Sequence, residues 1–270
     1  MLTNWRPKLV SFIIPTVSKV DLLEQCLSSI KSVCMADKPD IRHEIIIVQD
    51  GKSDAVAHRL KELCARYHCM LLQANRSVGY TSAVNMGLAK AAGDLLVLLN
   101  DDIRFEQREW LDYIIKAYQL HPKVGVMGCR LLYPDRRIQH GGMTYIGGLQ
   151  LLGHRYWGCN ENEPGALRVI RTVAVTGAVL VIKREAYKQL GPLNQSYAIM
   201  CSDTDYCLTA NKKGWYVLYN GRAYAIHHES QTRAVIPEQG KLSRIETADK
   251  MRFYRKWSSE LKQMHLQGII

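Results

Sequence analysis

The chain lacks any apolar run long enough to cross a bilayer. Its longest, residues 95–99 and 173–182, fall short of the roughly 20 residues a spanning helix needs. That excludes a membrane-spanning role and leaves open a chain that lies on a membrane. No basic patch followed by a long apolar segment opens the sequence, and Pro15 interrupts the first apolar run, so no secretory signal peptide is expected. None of the eight cysteines forms a C-x-x-C pair, and several, such as Cys26 beside Leu27 and Ile30, sit in apolar patterns. They read as reduced thiols filling the core of a cytosolic protein. The stretch after the first predicted strand, Pro15-Thr16-Val17-Ser18, lacks the G-x-G-x-x-G that a dinucleotide-dependent dehydrogenase requires. Only the pair His227-His228 hints at a zinc site, too little for a zinc hydrolase. No nucleic-acid-binding motif appears, so no nucleic acid partner is expected. Internal repeats and low-complexity segments are also absent.

What is present is ordinary in bulk and unusual in charge. A chain of 270 residues, 47% hydrophobic and 23% charged, can bury one large core, with or without an appendage. Its net charge of +11 implies attraction to something anionic, such as nucleotide phosphates or an anionic membrane surface.

The first half alternates strand and helix signals. Strands are predicted over 9–14, 44–48, 70–72, 94–99 and 124–127, and helices over 21–33, 54–67, 81–92 (with Thr81 as N-cap) and 106–120. Such alternation predicts a mostly parallel sheet covered by helices on both faces. Residues 130–171 are Gly-rich and aromatic without a sustained period, a length that points to function or to short strands of its own. A strand over 173–182 follows, then helices over 183–190 and over 204–213 (capped by Asp203), a strand over 215–219 and a terminal helix over 241–266.

Chemistry gathers where strands end. Thr16, Asp50, Arg76 and the triplet Asn100-Asp101-Asp102 each follow a predicted strand. Ligands of open α/β sheets bind outside the carboxyl ends of the strands, so these loops can converge. Two carboxylates at such an edge form a hard-oxygen site suited to a divalent cation and a phosphorylated substrate, although Asp and Asn also favour caps and turns.

In order along the chain, Ile13-Ile14-Pro15-Thr16, Val48-Gln49-Asp50-Gly51-Lys52-Ser53-Asp54, Asn75 to Gly87, Asn100-Asp101-Asp102, Gly191-Pro192-Leu193, Ser202-Asp203-Thr204-Asp205-Tyr206-Cys207 and His227-His228-Glu229-Ser230 resemble the motifs of family 2 glycosyltransferases, most closely the rhamnosyltransferase and O-antigen-type branch. The resemblance implies the GT-A fold: an α/β nucleotide-diphospho-sugar transferase domain over 1–240, with a nucleotide-binding half about 9–128 and an acceptor half about 129–240. A basic amphipathic helix over 241–270 follows as an extension.

The same resemblance implies an inverting transfer of a sugar from a UDP- or dTDP-sugar to a hydroxyl of a glycan or lipid-linked acceptor. Donor contacts fall on Pro15, Thr16, Asp50, Arg76, Asn85, Asn100 and Asp101, and Mg²⁺ or Mn²⁺ on Asp102 with His227 or His228. Asp203 would be the general base, with Gly177, Ser202 and Asp205 on the acceptor side and Asp205 either raising the pKa of Asp203 by repulsion or supporting it as a neighbouring partner. Asp203 could equally be a plain helix cap. Three positions depart from the family pattern: Asn100 for the first Asp of D-x-D, Ser202 for the Glu of E-D, and Gln49 for the first Asp of D-D-G. Asn100 leaves Asp102 as the strong carboxylate ligand of the triplet.

The terminal helix interleaves basic residues with Ile245, Met251, Phe253, Tyr254 and Trp257. It can rest on an anionic membrane presenting a lipid-linked acceptor, or pack its aromatic face on the domain or on a second subunit as a homodimer. Packing is the favoured reading, in a cytoplasmic protein that contacts the inner membrane face peripherally. The rival function is an inactive sugar-nucleotide-binding scaffold.

Overall fold

The computed structural model describes residues 3–51, 53–228 and 239–268, with the side chains of 239–243 left aside. Lys52, Glu229 and Ser230, part of the sequence motifs, lie outside the described residues.

The sheet is built outward from β1 (Leu9–Thr16). The chain passes through α1 (Val20–Ser29), which closes on a π-turn at Ile30–Cys34, to β2 (Arg42–Gln49), then through α2 (Asp54–Tyr67) to β3 (Met70–Gln73). It returns through α3 (Tyr80–Lys90) to β4 (Leu95–Leu99) on the other side of β1. All these strands run parallel. The reversal of direction between β2 and β4 opens a crevice at the carboxyl ends of β1 and β4, which is where Thr16 and the Asn100 triplet stand.

Beyond β4 the sheet becomes mixed. A two-residue strand, β5 (Ile103–Arg104), precedes α4 (Trp110–Leu120) and β6 (Val124–Leu132). Three short strands follow, β7 (Ile138–His140), β8 (Met143–Gly147) and β9 (Leu151–His154), then a 3₁₀ turn at Pro164–Leu167 and β10 (Val169–Arg171). The unpatterned segment thus carries its own strands. β11 (Val179–Lys183) lies antiparallel between β4 and β6. After α5 (Arg184–Leu190) and α6 (Ser202–Lys212), β12 (Tyr216–His227) runs parallel to β6, and α7 (Gln239–Leu266) ends the fold. The strand order is β10-β12-β6-β11-β4-β1-β2-β3, with β5 on β12 and β7 on β6, while β8 and β9 pair as a separate hairpin.

Burial follows the two-residue period of a strand. In β4, Leu95, Val97 and Leu99 join the core under α1 and α4, while Leu96 and Leu98 join the core under α6 and α7. A strand apolar at every position is what a sheet covered on both faces requires.

Several elements differ from the sequence expectation. Pro15 does not end β1. It pairs with Val48 one pair beyond Ile14, and the last β1–β4 pair is Ile13 with Leu98, so the missing N–H removes no bond to β4. Thr81 is not an N-cap: Gly79, at φ 83°, occupies that position and Thr81 lies inside the first turn. The apolar run at 173–178 is buried loop rather than strand. Two of its carbonyls are taken by α6, Val175 accepting from the Cys207 thiol and Val173 from the Asn211 amide, while Ala174 accepts from the Met143 N–H. Asp203 does not cap α6 either, because the helix opens one residue earlier at Ser202 behind Cys201 in a left-handed conformation, φ 66°.

The terminal helix packs on the chain itself. Phe253, Trp257 and Leu261, spaced four apart, are buried against Tyr206, Cys207 and their neighbours. Two carboxylates reinforce this. Asp205 accepts from the Trp257 indole at 2.7 Å and from the Lys256 ammonium at 2.6 Å. Asp249, almost wholly buried, accepts from the backbone N–H groups of Ala198, Ile199 and Met200 at 2.9–3.0 Å. That aromatic face is therefore covered without a second subunit. Trp257→Ala is expected to destabilise the protein by about 3–5 kcal/mol, through lost burial and the Asp205 oxygen left short of a donor. A denaturant midpoint unchanged from wild type would contradict this packing. Among the described residues no helix is long and apolar enough to cross a membrane.

Candidate active site

A cavity of about 690 Å³ opens at the carboxyl ends of β1 and β4 and is walled by α6, α7 and the β8–β9 hairpin. Of the residues singled out from sequence, Pro15, Thr16, Asp50, Asn100, Asp101, Asp102, Gly177, Ser202, Asp203 and His227 line it.

Asp50 is held in place by the loop after β3. Its oxygens accept from the N–H groups of Val78 at 2.6 Å and Gly79 at 3.1 Å. Gly79 has to be glycine, because φ is +83° and a Cβ would lie 2.8 Å from the Ala198 carbonyl oxygen. The Thr16 hydroxyl donates to Asp101 at 2.7 Å. Burial pushes the Asp101 carboxyl up to about 7, the Thr16 bond pulls it down and the Asp102 charge adds to the rise.

Asp102 and His227 meet for a topological reason. β12 ends beside β5, pairing His227 with Ile103, and His228 donates its N–H to the Asp102 carbonyl at 3.1 Å. Alternation along the strand sends the His227 ring into the cavity and leaves His228 off its wall. His227 Nδ1 lies 2.6 Å from Gln139 Oε1. With that oxygen accepting, Nδ1 carries the proton and Nε2 keeps its lone pair. Nε2 stands 3.0 Å from Asp102 Oδ1, a buried oxygen with no hydrogen-bond partner among the described residues. The approach is close in distance and lacks hydrogen-bond geometry. Two lone-pair atoms facing each other across 3.0 Å are suited to sharing a cation. No group of three or more His, Cys, Asp or Glu side chains placed for a metal exists among the described residues, so the remaining ligands would come from substrate phosphates and water.

Asp203 also lines the cavity, half-buried. Its Oδ2 accepts from the Gly177 N–H at 2.6 Å and Oδ1 from the Thr204 N–H at 2.8 Å. The Tyr80 hydroxyl donates to the Gly177 carbonyl at 3.1 Å. A Cβ on Gly177 would lie 3.0 Å from that hydroxyl and 3.2 Å from Asp203, so bulk here would press on the carboxylate. Burial raises the Asp203 pKa, partly offset by the Gly177 and Thr204 amides. Burial, not repulsion from Asp205, is the leading cause.

Besides His228, three sequence candidates lie elsewhere. Asp205 faces α7, as described above. Asn85 is a clamp between segments: its amide donates to the Leu193 carbonyl at 2.8 Å and accepts from the Leu193 N–H at 2.9 Å. Arg76 is exposed and off the cavity wall.

Sequence reasoning passed over Gln139, His154, Lys250 and Phe253, all on the wall. The first two sit in the 130–171 segment, whose length already signalled function. The last two sit on the helix read as an appendage.

Comparison with known proteins agrees with this architecture. The model of a family described as "Glycosyl transferase family 2" matches residues 11–191. The O-antigen biosynthesis protein RfbC of Myxococcus xanthus is 29% identical over 236 residues, 85% of this chain but only 18% of that protein, so the chain spans less than a fifth of this relative. The mannosyltransferase PcManGT from Pyrobaculum calidifontis, solved in complex with GDP-Man and Mn²⁺, superposes with a TM-score of 0.61 at 16% identity, over 98% of this chain and 75% of that one. GalNAc-T7, solved with UDP, GalNAc and Mn²⁺, superposes with a TM-score of 0.66 at 14% identity, over 83% and 44% of the two chains. With its GT-A fold and a family match over most of its length, the chain belongs to glycosyltransferase family 2.

Proposed function

We propose that the protein transfers a sugar from a nucleoside-diphosphate donor to a hydroxyl of a glycan or lipid-linked acceptor, with inversion, in cell-surface polysaccharide synthesis. The observation that carries this reading is one cavity lined by both a cation-ready pair, Asp102 and His227, and the Asp203 carboxylate.

Thr16, Asp50 and Asp101 would receive the nucleoside of a UDP- or dTDP-sugar. Asp102 and His227 would hold Mg²⁺ or Mn²⁺, which when bound neutralises charge on the departing diphosphate. Gln139 fixes the tautomer that keeps the His227 Nε2 lone pair, which meets the Asn100 amide at 3.3 Å and would turn to the cation instead, an outer-shell role common at metal sites. A sugar hydroxyl is a poor nucleophile, and a carboxylate that takes its proton as the new C–O bond forms supplies the missing reactivity. Asp203 is suited to this, because two amides orient it while burial raises its basicity. One base and one displacement give inversion at the anomeric carbon. The basic surface supports peripheral contact with the cytoplasmic face of an anionic membrane.

The test is a panel of UDP-, dTDP- and GDP-sugars with Mn²⁺ or Mg²⁺, read by release of the nucleoside diphosphate with and without glycan acceptors. Acceptor-stimulated release from at least one donor is expected. Binding of donors with no release from any would identify a scaffold instead.

A further inference from the structure

Asp249 and Lys250 are neighbours on α7 with opposite fates. Asp249 points into the protein and is fixed by three consecutive backbone amides. That anchor sets the rotation of the helix. It turns Lys250, and Phe253 one turn later, toward the cavity, which both line. Two other α7 cations have carboxylate partners: Arg252 pairs with Asp249 and Lys256 with Asp205. Half-buried Lys250 has no hydrogen bond or ion pair among the described residues. It lies near enough to Cys201 for its charge to pull that thiol's pKa down against burial.

The location is specific. Among the described residues Lys250 is the one Lys or Arg on a wall that carries four aspartates, Asp50, Asp101, Asp102 and Asp203. The first three gather at the strand ends where the nucleotide would sit. Lys250 instead neighbours the Cys201–Asp203 turn, where the incoming hydroxyl would approach. The same cavity has apolar lining from Leu149, Leu152, Met200 and Phe253, and His154 lines it too, its charge reaching Asp203. A partly desolvated ammonium without an internal counter-ion is costly unless a ligand supplies one.

We propose that Lys250 marks an anion subsite on the acceptor side of the cavity, and that the acceptor carries a phosphate or carboxylate group near the hydroxyl it presents. This rests on the transferase reading above. The apolar walls would seat the uncharged part of the acceptor while the ammonium fixes its register relative to Asp203.

The experiment uses the full chain as wild type, Lys250→Met (which keeps the aliphatic stem) and Lys250→Arg. Each is first titrated with UDP, dTDP and GDP in Mn²⁺, then saturated with the tightest binder and titrated with glucose 1-phosphate, glucuronate and glucose by calorimetry. Wild type is expected to bind at least one anionic probe about tenfold or more above glucose, the size of one charged hydrogen bond. Lys250→Met should lose that preference, Lys250→Arg should restore it, and nucleotide affinity should stay within about twofold in all three. Which of the two anions gains more identifies phosphate or carboxylate. The subsite is overturned by equal binding of charged and neutral probes in wild type, by no probe binding, or by a preference that survives in Lys250→Met. It is equally overturned if Lys250→Met weakens nucleotide binding, which would assign the ammonium to the donor. Failure of every nucleoside diphosphate to bind wild type would instead remove the transferase reading, and the acceptor role with it.

Discussion

Asp203→Asn is expected to bind the donor as wild type does and to lose transfer by about 10²–10⁴-fold, the range that general-base help supplies. The substitution preserves shape, and its carbonyl oxygen can still accept one of the two amides now shared between Gly177 and Thr204. What it removes is the ability to take a proton. Full transfer in this variant would exclude Asp203 as the base. The pH dependence gives a second reading of the same residue. Burial raises the folded-state pKa of Asp203, and only the ionised form can act. The acid limb of kcat/KM should therefore lie above the ordinary carboxylate value of about 3.9. Stability runs the other way. A raised folded-state pKa contributes stability that is complete below the unfolded value and is lost as pH rises through the folded one. Asp203→Asn should abolish that part of the decline, so its denaturant midpoint should fall less than that of wild type as pH rises toward neutral, whatever constant cost the amide left without an acceptor adds. An inactive variant that is also much less stable would point to a structural role instead.

The second large effect is expected at Asp102. Asn100 contributes no charge, so Asp102 is the carboxylate that faces His227 at the strand end. Asp102→Asn should lower transfer by about 10²-fold or more, comparable to losing one aimed electrostatic contact at a reacting centre. It should also erase the gain in nucleotide affinity that Mn²⁺ gives wild type, and chelation with EDTA should reduce wild type to the level of the variant. Gln139→Leu should produce a milder version of the same defect, because it frees the His227 ring without removing a ligand. Equal stimulation by Mn²⁺ in wild type and Asp102→Asn would sink the proposed cation site.

The strand ends were the legible part of the site. Thr16, Asp50, Asp101 and Asp102 stand where an apolar β-branched or leucine-rich run stops, and a parallel sheet brings such ends together. His227 was legible as a motif. Spacing to the downstream hydroxyl residue leaned to His227 over His228, while the ring's place on the cavity wall depends on β12 reaching β5 in a register no local pattern encodes. The apolar run at 173–178 looked like strand because burial alone was visible; its carbonyls go to α6, Met143, Tyr80 and Asn100 instead of a ladder. β11 was found as a strand, but its antiparallel direction depends on a return path rather than on composition. Asn85 carried the family spacing and serves as a clamp on Leu193, 108 residues away. Gln139, His154 and Lys250 have no local signature at all. They reach the cavity only because a hairpin and a late helix fold over it.

The α7 anchor also bears on the order in which the molecule is made. Asp249 and Lys256 close contacts with Ala198 and Asp205 across 51 residues each. During synthesis the crevice between β1 and β4, the proposed donor side, is complete in sequence long before α7 emerges. Until it does, Tyr206 and the rest of the core beneath Trp257 lack their cover. The nascent chain therefore passes through a stage with its donor side assembled and an aromatic surface still open, the kind of surface to which chaperones attach.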